Sequence, residues 1–128
     1  MAGTAQPPLP QPLRGEIWDV DFPSDPPGKG PRPVLIISAD GRNRHPKATT
    51  VLVVPFSTTM TDYPTHIRLS SGQTGLPGTS EIQPEQITAV RKEYLKARSG
   101  TRTQAESVIA LVAKNVLFAL GVQPKDVQ

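Results

Sequence analysis

Cysteine is absent from all 128 residues. Its absence excludes a disulfide-stapled scaffold, a thiolate zinc site and a cysteine nucleophile together, and it fits a reducing compartment. No window approaches the roughly 18 apolar residues of a membrane span. The opening MAGTAQPPLPQPL also lacks the charged-then-apolar profile of a signal peptide. The expectation is a cytoplasmic protein with no membrane partner. Phosphate-cradling glycine loops are missing too: Gly28, Gly30, Gly72, Gly75 and Gly78 match neither a P-loop nor a dinucleotide fingerprint, which argues against nucleotide-dependent chemistry. No spacing of His with Asp or Glu resembles a metal-ligand set, so neither a metal nor a cofactor is expected.

What is present fits one globular domain, large enough for a single core. A formal charge of +3 favours a polyanionic partner only mildly, because 14 basic residues stand against 11 acidic ones. The 15 prolines are uneven. Pro7, Pro8, Pro10 and Pro12 mark residues 1–12 as a disordered or polyproline-like tail. Pro23, Pro26, Pro27, Pro31 and Pro33 instead stiffen one internal loop. The expected organisation is a tail, a domain over 13–122, and a short C-terminal tail over 123–128.

GEIWDVDF alternates, with Trp18, Val20 and Phe22 on one face, as a half-buried strand does. The β-branched run in RPVLIIS predicts a strand buried on both faces. TTVLVVPF repeats that pattern and is expected to end near Pro55, since proline cannot donate to a central ladder. THIRLSS, GTSEIQ and QITAVRKEYL supply further short strands. After them the period changes. Thr103 with Glu106 has the spacing of a capping box, and Ala105, Val108, Ile109, Val112, Val116, Ala119 and Leu120 form one helical stripe, stopped by Gly121 and Pro124. Leu111, Leu117 and Phe118 fall outside the stripe and leave a second apolar side for another subunit. Five or six strands without intervening helices cannot wind a parallel sheet. The predicted fold class is therefore mainly β: a small, strongly coiled antiparallel barrel closed or capped by a C-terminal helix.

Arg32 stands between Pro31 and Pro33 at the mouth of the most apolar run in the first half of the chain. Proline fixes its own φ and restricts the residue before it, so this cation has little backbone freedom. Taken alone, it reads first as a surface arginine bonding loop carbonyls. Ser57 closing the third strand reads alone as a turn hydroxyl. His45 and His66 raise paired acid–base catalysis as a further alternative. The basic runs RKEYLKARSGTR and GRNRHPK are solvated faces or attractors for phosphates.

The order of these pieces resembles the MazF/PemK toxins of bacterial toxin–antitoxin pairs, over roughly Arg14 to Val122. GEIWDVDF is followed by a flexible loop, then RPVLIIS with Asn43 just after, VVPFSTT, YPTHIRL, PEQITAV and a terminal amphipathic helix. The resemblance implies a homodimeric, SH3-like barrel endoribonuclease. Such an enzyme cuts single-stranded messenger RNA without a metal and leaves 2′,3′-cyclic phosphate and 5′-hydroxyl ends. It also implies growth arrest and neutralisation by a MazE-like antitoxin whose acidic segment covers a basic groove. Arg32 then matches the catalytic arginine, and Ser57 stands where the family usually carries a threonine. Lys29, Thr58, Thr59, His66, Glu85 and Gln86 become the candidate RNA-binding residues. The family's loop commonly carries a serine–glutamate pair, whereas here it reads PSDPPGKG, leaving Asp25 as the acid that could substitute. Two other classes remain: a gyrase-binding toxin of the CcdB kind, which shares the barrel but against which the arginine–proline and proline–hydroxyl pairs argue, and a non-catalytic SH3-like module binding RNA or protein.

Overall fold

A computed structural model of the protein describes residues 8–98 and 101–126; most of the expected N-terminal tail, residues 1–7, lies outside that range. The described residues form seven strands, β1 (Ile17–Val20), β2 (Arg32–Ile36), β3 (Thr50–Ser57), β4 (Ile67–Leu69), β5 (Ser80–Ile82), β6 (Thr88–Arg91) and β7 (Leu95–Arg98). Three α-helices accompany them: α1 (Asp40–Asn43), α2 (Ser71–Thr74) and α3 (Glu106–Ala119). All pairings are antiparallel, in the order β4-β5-β3-β2-β1-β7, with β6 also on β3. The sheet is not closed: among the described residues no ladder joins β4 to β7, so the expected barrel is an open sheet capped by α3. No helix among the described residues is long and apolar enough to cross a membrane.

The strand β2 is buried on both faces, as its β-branched run predicts. Leu35 enters one core with Ile17, Val54, Ile67, Leu69, Ile82, Ile109 and Val112. Val34 and Ile36 enter a second core with Val20, Val51, Val53, Val90 and Leu95. Each fully buried aliphatic side chain here stabilises the fold by about 1.5–3 kcal/mol relative to exposure. Trp18, Val20 and Phe22 share the second core's side, in line with the alternation of GEIWDVDF.

The strand β3 ends at Ser57, two residues past Pro55 and close to the expected end. Its first half, Thr50 to Val53, pairs β6, and its last two residues, Phe56 and Ser57, pair β5. Pro55 sits in the changeover, where its carbonyl accepts from the Gln83 amide (3.0 Å) and no ladder needs its missing N–H. The expected single strand QITAVRKEYL holds only β6 and a 3-10 turn at Lys92–Tyr94, and β7 begins at its last residue, Leu95. The proposed capping box is not the start of α3 either. The N-cap is Ala105 without a side-chain cap, and Glu106 pairs with Arg14 (2.9 Å). A capping box does occur at Ser70 and Gln73, opening α2. Gly121 ends α3 as expected, at φ +77°. The Val122 amide donates to Leu117 O (2.9 Å) and the Gly121 amide to Phe118 O (3.0 Å), a Schellman closure.

Two tethers hold the site's frame. Gly15, at φ +91°, lies so close to Gln104 that a Cβ there would sit 3.0 Å from its carbonyl. Asn43 is fully buried at the corner after β2, donating to Ser38 O (2.9 Å). On α3, Ile109 and Val112 are buried, while Leu111, Phe118 and the C-cap Leu120 stay exposed.

Candidate active site

The backbone register sets the geometry. In the β2–β3 ladder Val34 faces Pro55, Leu35 faces Val54 and Ile36 faces Val53. The same register continued two residues places Arg32 opposite Ser57. Arg32 is also the Cα partner of Val20, Ser57 of Glu81, and Glu81 of Arg68. One row therefore crosses the sheet as Val20, Arg32, Ser57, Glu81 and Arg68.

Side chains hold Arg32 on two sides. Its Nε donates to Asp25 Oδ2 (3.0 Å) and its Nη2 to Asp25 Oδ1 (2.9 Å), a bidentate pair. Its guanidinium lies 4.7 Å over the centre of the Phe22 ring, within cation–π range. Two of the five guanidinium N–H groups are thus committed along one edge, and three remain at the other. The carboxylate is the more buried partner, 13% exposed against 43% for the arginine. The Asp25 loop is itself folded by short turns: the Asp25 amide donates to Phe22 O (3.0 Å) and the Lys29 amide to Pro26 O (3.2 Å).

Arg32 separates two clefts. The first, about 430 Å³, brings it together with Lys29, Ser57 and Thr58 over an apolar floor of Pro33, Phe56, Leu76 and Pro77. The second, about 260 Å³, sets it beside Phe22, Gln83, Gln86 and Thr88. In the first cleft the Thr59 amide donates to Ser57 Oγ (3.1 Å). The return bond from Ser57 Oγ to Thr59 O is long, 3.4 Å. The hydroxyl is therefore oriented through its acceptor side while its proton remains available to a better acceptor.

His66 and Glu85 line neither of these clefts. The His66 side chain is 7% exposed, its Nδ1 2.9 Å from Glu81 Oε1 and its Nε2 2.7 Å from Glu85 Oε2. Two carboxylates facing two ring nitrogens require both nitrogens to donate, which is the imidazolium form. Burial opposes that charge, but the hydrogen bonds and charges of Glu81 and Glu85 outweigh it and raise the His66 pKa. Glu81 is held down to about 2, first by the Thr61 amide and, against the opposing effect of burial, by His66, the Asp62 amide and the Thr61 hydroxyl. Burial pushes Glu85 up, yet Thr65 and His66 bring its net shift below the usual value. His45 is elsewhere, exposed after α1 with Nδ1 accepting from the Lys47 amide (3.1 Å). The two histidines thus share no cleft with Arg32.

The basic runs are partly structural. Arg42 donates to Thr50 O (2.6 Å) and Thr50 Oγ1 (2.9 Å), Arg91 pairs with Glu93 (2.6 Å), and Lys92 is buried. Ser99 and Gly100 of RKEYLKARSGTR lie outside the described residues. No group of three or more His, Asp or Glu among the described residues is arranged to hold a metal ion.

Residues 13–118 match the family described as PemK-like, MazF-like toxin of type II toxin-antitoxin system. The chain belongs to that family. A probable endoribonuclease MazF of Mycolicibacterium smegmatis is 36% identical over 111 residues, covering 85% of this chain and 96% of the relative. An endoribonuclease from a mycobacterial species, solved in complex with its cognate antitoxin, superposes at TM-score 0.67 and 27% identity, covering 86% of this chain and 95% of that one. MazF in the MazE–MazF complex of Deinococcus radiodurans superposes at TM-score 0.67 and 20% identity, covering 88% and 99%, and shows the shared fold. Among MazF-like toxins, then, this chain carries serine at the end of β3 and Asp25 against its arginine. Phe22, Gln83 and Thr88 were not singled out from sequence. Phe22 reads there as a core residue, and nothing in the spacing of Gln83 or Thr88 sets them beside Arg32.

Proposed function

We propose that the protein is a sequence-selective endoribonuclease toxin that cleaves single-stranded messenger RNA. The 2′-hydroxyl attacks the adjacent phosphate, leaving 2′,3′-cyclic phosphate and 5′-hydroxyl ends. The observation that carries this is the fixed Arg32 fork beside the Ser57 hydroxyl in one cleft. RNA brings its own nucleophile, so the protein's main task is to stabilise charge on the phosphoryl oxygens and position the reacting groups. The free edge of Arg32 presents planar N–H donors to two phosphate oxygens and keeps its charge at any working pH. Ser57, oriented by the Thr59 amide, donates a hydrogen bond to the same phosphate. Lys29 and Thr58 line the phosphate cleft. In the second cleft, Gln83, Gln86 and Thr88 offer donors and acceptors to a base edge. Glu85 and His66, engaged with each other, are assigned a supporting place instead.

The chain is proposed to act in the cytoplasm as a homodimer, a state supported by the exposed Leu111 and Phe118 of α3 and Leu120 at its C-cap. A cognate MazE-like antitoxin, acidic enough to cover the groove, neutralises it. Incubation with a long single-stranded RNA in EDTA, followed by mass spectrometry of the ends, tests the assignment. Cyclic phosphates at a recurring short sequence, lost in Arg32→Ala and Ser57→Ala, are expected. Intact RNA across a varied pool of sequences refutes it.

A further inference from the structure

We propose that the buried His66–Glu81–Glu85 cluster positions the hydroxyl-bearing end of the site, with Glu81 and His66 acting on Ser57 and Thr58 through the loop that follows β3. The inference rests on the ribonuclease assignment of the Arg32–Ser57 cleft. It begins from the row across the sheet, where Glu81 is the direct cross-strand partner of Ser57. Beyond Ser57 the chain leaves β3 and must return to β4 at Ile67. Along that path the backbone has no ladder partner, and Glu81 serves in its place.

One buried carboxylate gathers most of the loop. Glu81 Oε1 accepts from the Thr61 amide (3.1 Å), the Thr61 hydroxyl (3.1 Å) and His66 Nδ1 (2.9 Å). Its Oε2 accepts from the Asp62 amide (3.3 Å) and Arg68 Nη2 (3.5 Å). Asp62 is the one non-glycine residue at positive φ among the described residues, +55°. Such a conformation persists only where surrounding contacts over-determine it. Glu85 holds the far side of the loop, accepting from the Thr65 hydroxyl (2.5 Å) and His66 Nε2 (2.7 Å). Asn115 of α3 adds a bond to Thr65 O (2.9 Å). Ser57 Oγ takes its orientation from the Thr59 amide, two residues before the first Glu81 anchor. Where residues 61–62 are pinned decides where Thr58 and Thr59 lie.

The cluster is held by one proton. With His66 as imidazolium, each carboxylate faces an N–H. Once that proton leaves, a bare Nε2 faces Glu85, and a bare Nδ1 faces Glu81 unless the Thr61 hydroxyl, 3.0 Å away, turns from Glu81 to donate to it; either way one bond of the clamp is lost. The charged and titratable groups facing His66 are Glu81 from β5, Glu85 from the turn after it, and the Tyr63 ring at 5.3 Å. Arg68 of β4 and Asp62 reach the cluster through Glu81, and α3 contributes the neutral Asn115 through Thr65. Arg68 alone on that list could replace the lost positive charge, and it is bonded outward to Asp62. The loop should therefore loosen as pH rises through the His66 titration, although His66 touches no substrate.

The test combines two readouts on the full chain. Nuclear magnetic resonance follows the His66 ring and the Thr58, Thr59 and Asp62 amides against pH. Cleavage of a short oligoribonucleotide gives kcat and KM over the same range for wild type, His66→Gln and Glu81→Gln. The Thr58 and Thr59 amides are expected to titrate with the His66 ring, and wild-type kcat to fall along the same curve. His66→Gln should abolish that alkaline limb and lower kcat about tenfold to a hundredfold, the cost of misplacing a reacting group by a fraction of an ångström to an ångström, with KM close to wild type. Glutamine at 66 keeps one donor without a titrating proton, so it carries the test if Glu81→Gln fails to fold. Amides at 58–59 that ignore the His66 titration, or superimposable kcat profiles for wild type and His66→Gln, overturn the proposal. A wild type that cuts no RNA removes the ribonuclease assignment, and the amide titration still decides whether the cluster sets the loop.

Discussion

Replacing Asp25 by alanine separates what Arg32 contributes by charge from what it contributes by direction. The variant removes the bidentate acceptor at 2.9 and 3.0 Å and leaves the Phe22 ring at 4.7 Å as the remaining restraint on the guanidinium. The cost in stability should be small. The arginine is 43% exposed, and pairs so screened by water contribute about 0–1 kcal/mol, a fall in Tm of less than about 5 °C. The cost in rate should be larger. A guanidinium that pivots on the ring samples positions about an ångström from the productive one, and such misplacement costs on the order of a hundredfold. Asp25→Asn keeps an acceptor for one of the two donors and should fall between. Single-turnover cleavage with melting curves on the same samples measures both quantities. Faster cleavage and tighter RNA binding in Asp25→Ala would refute the reasoning, because Asp25 would then be a competitor for the phosphate's place.

Arg32→Lys preserves the charge but loses the planar fork, and kcat should drop about a hundredfold or more, comparable to removing a preorganised donor; near-wild-type cleavage would reduce Arg32 to a point charge. Acid stability should depend on Glu81. Its folded pKa of about 2 lies below its ordinary 4.5, so its contribution is complete above 4.5 and is lost as pH falls towards 2. Urea melts through that window should show wild type losing more stability than Glu81→Gln. His66 has the opposite sign. Its pKa is raised from 6.5, so its contribution is complete below 6.5 and disappears as pH climbs through the folded value; the difference in stability from His66→Gln should shrink there. Ile82→Ala, at a fully buried position between Phe56 and Ile67, should cost about 2–5 kcal/mol by denaturant titration.

Residues whose role depends on their own chain neighbours were legible in the sequence. The β-branched run from Val34 to Ile36 announces burial on both faces, and the prolines flanking Arg32 announce a restrained cation. Features that depend on a distant partner were not. Whether Pro55 ends a strand turns on which strand lies on its N–H side, and there β3 is changing partners. The Thr103–Glu106 spacing is local, but Glu106 is engaged by Arg14 from the other end of the domain. QITAVRKEYL keeps a strand-like pattern straight through a 3-10 turn. In the site, Ser57 and Glu85 are singled out through the family's pattern, and His66 through its place on the polar face of a strand. The carboxylate–imidazolium contacts of Glu85 and His66 join residues from separate elements and leave no mark in either segment alone.

The row through Val20, Arg32, Ser57, Glu81 and Arg68 carries a consequence for the cell that makes this chain. Arg32 and Ser57 meet only through the pairing of β2 with β3, and sliding that pairing by one residue turns every side chain of a strand to the opposite face. A slipped molecule has all the same residues, yet its guanidinium and its hydroxyl look away from each other. Any chemistry that needs both groups is all-or-none with respect to strand alignment: a misaligned copy lacks the cleft altogether, and only a chain that has completed its non-local pairing builds it.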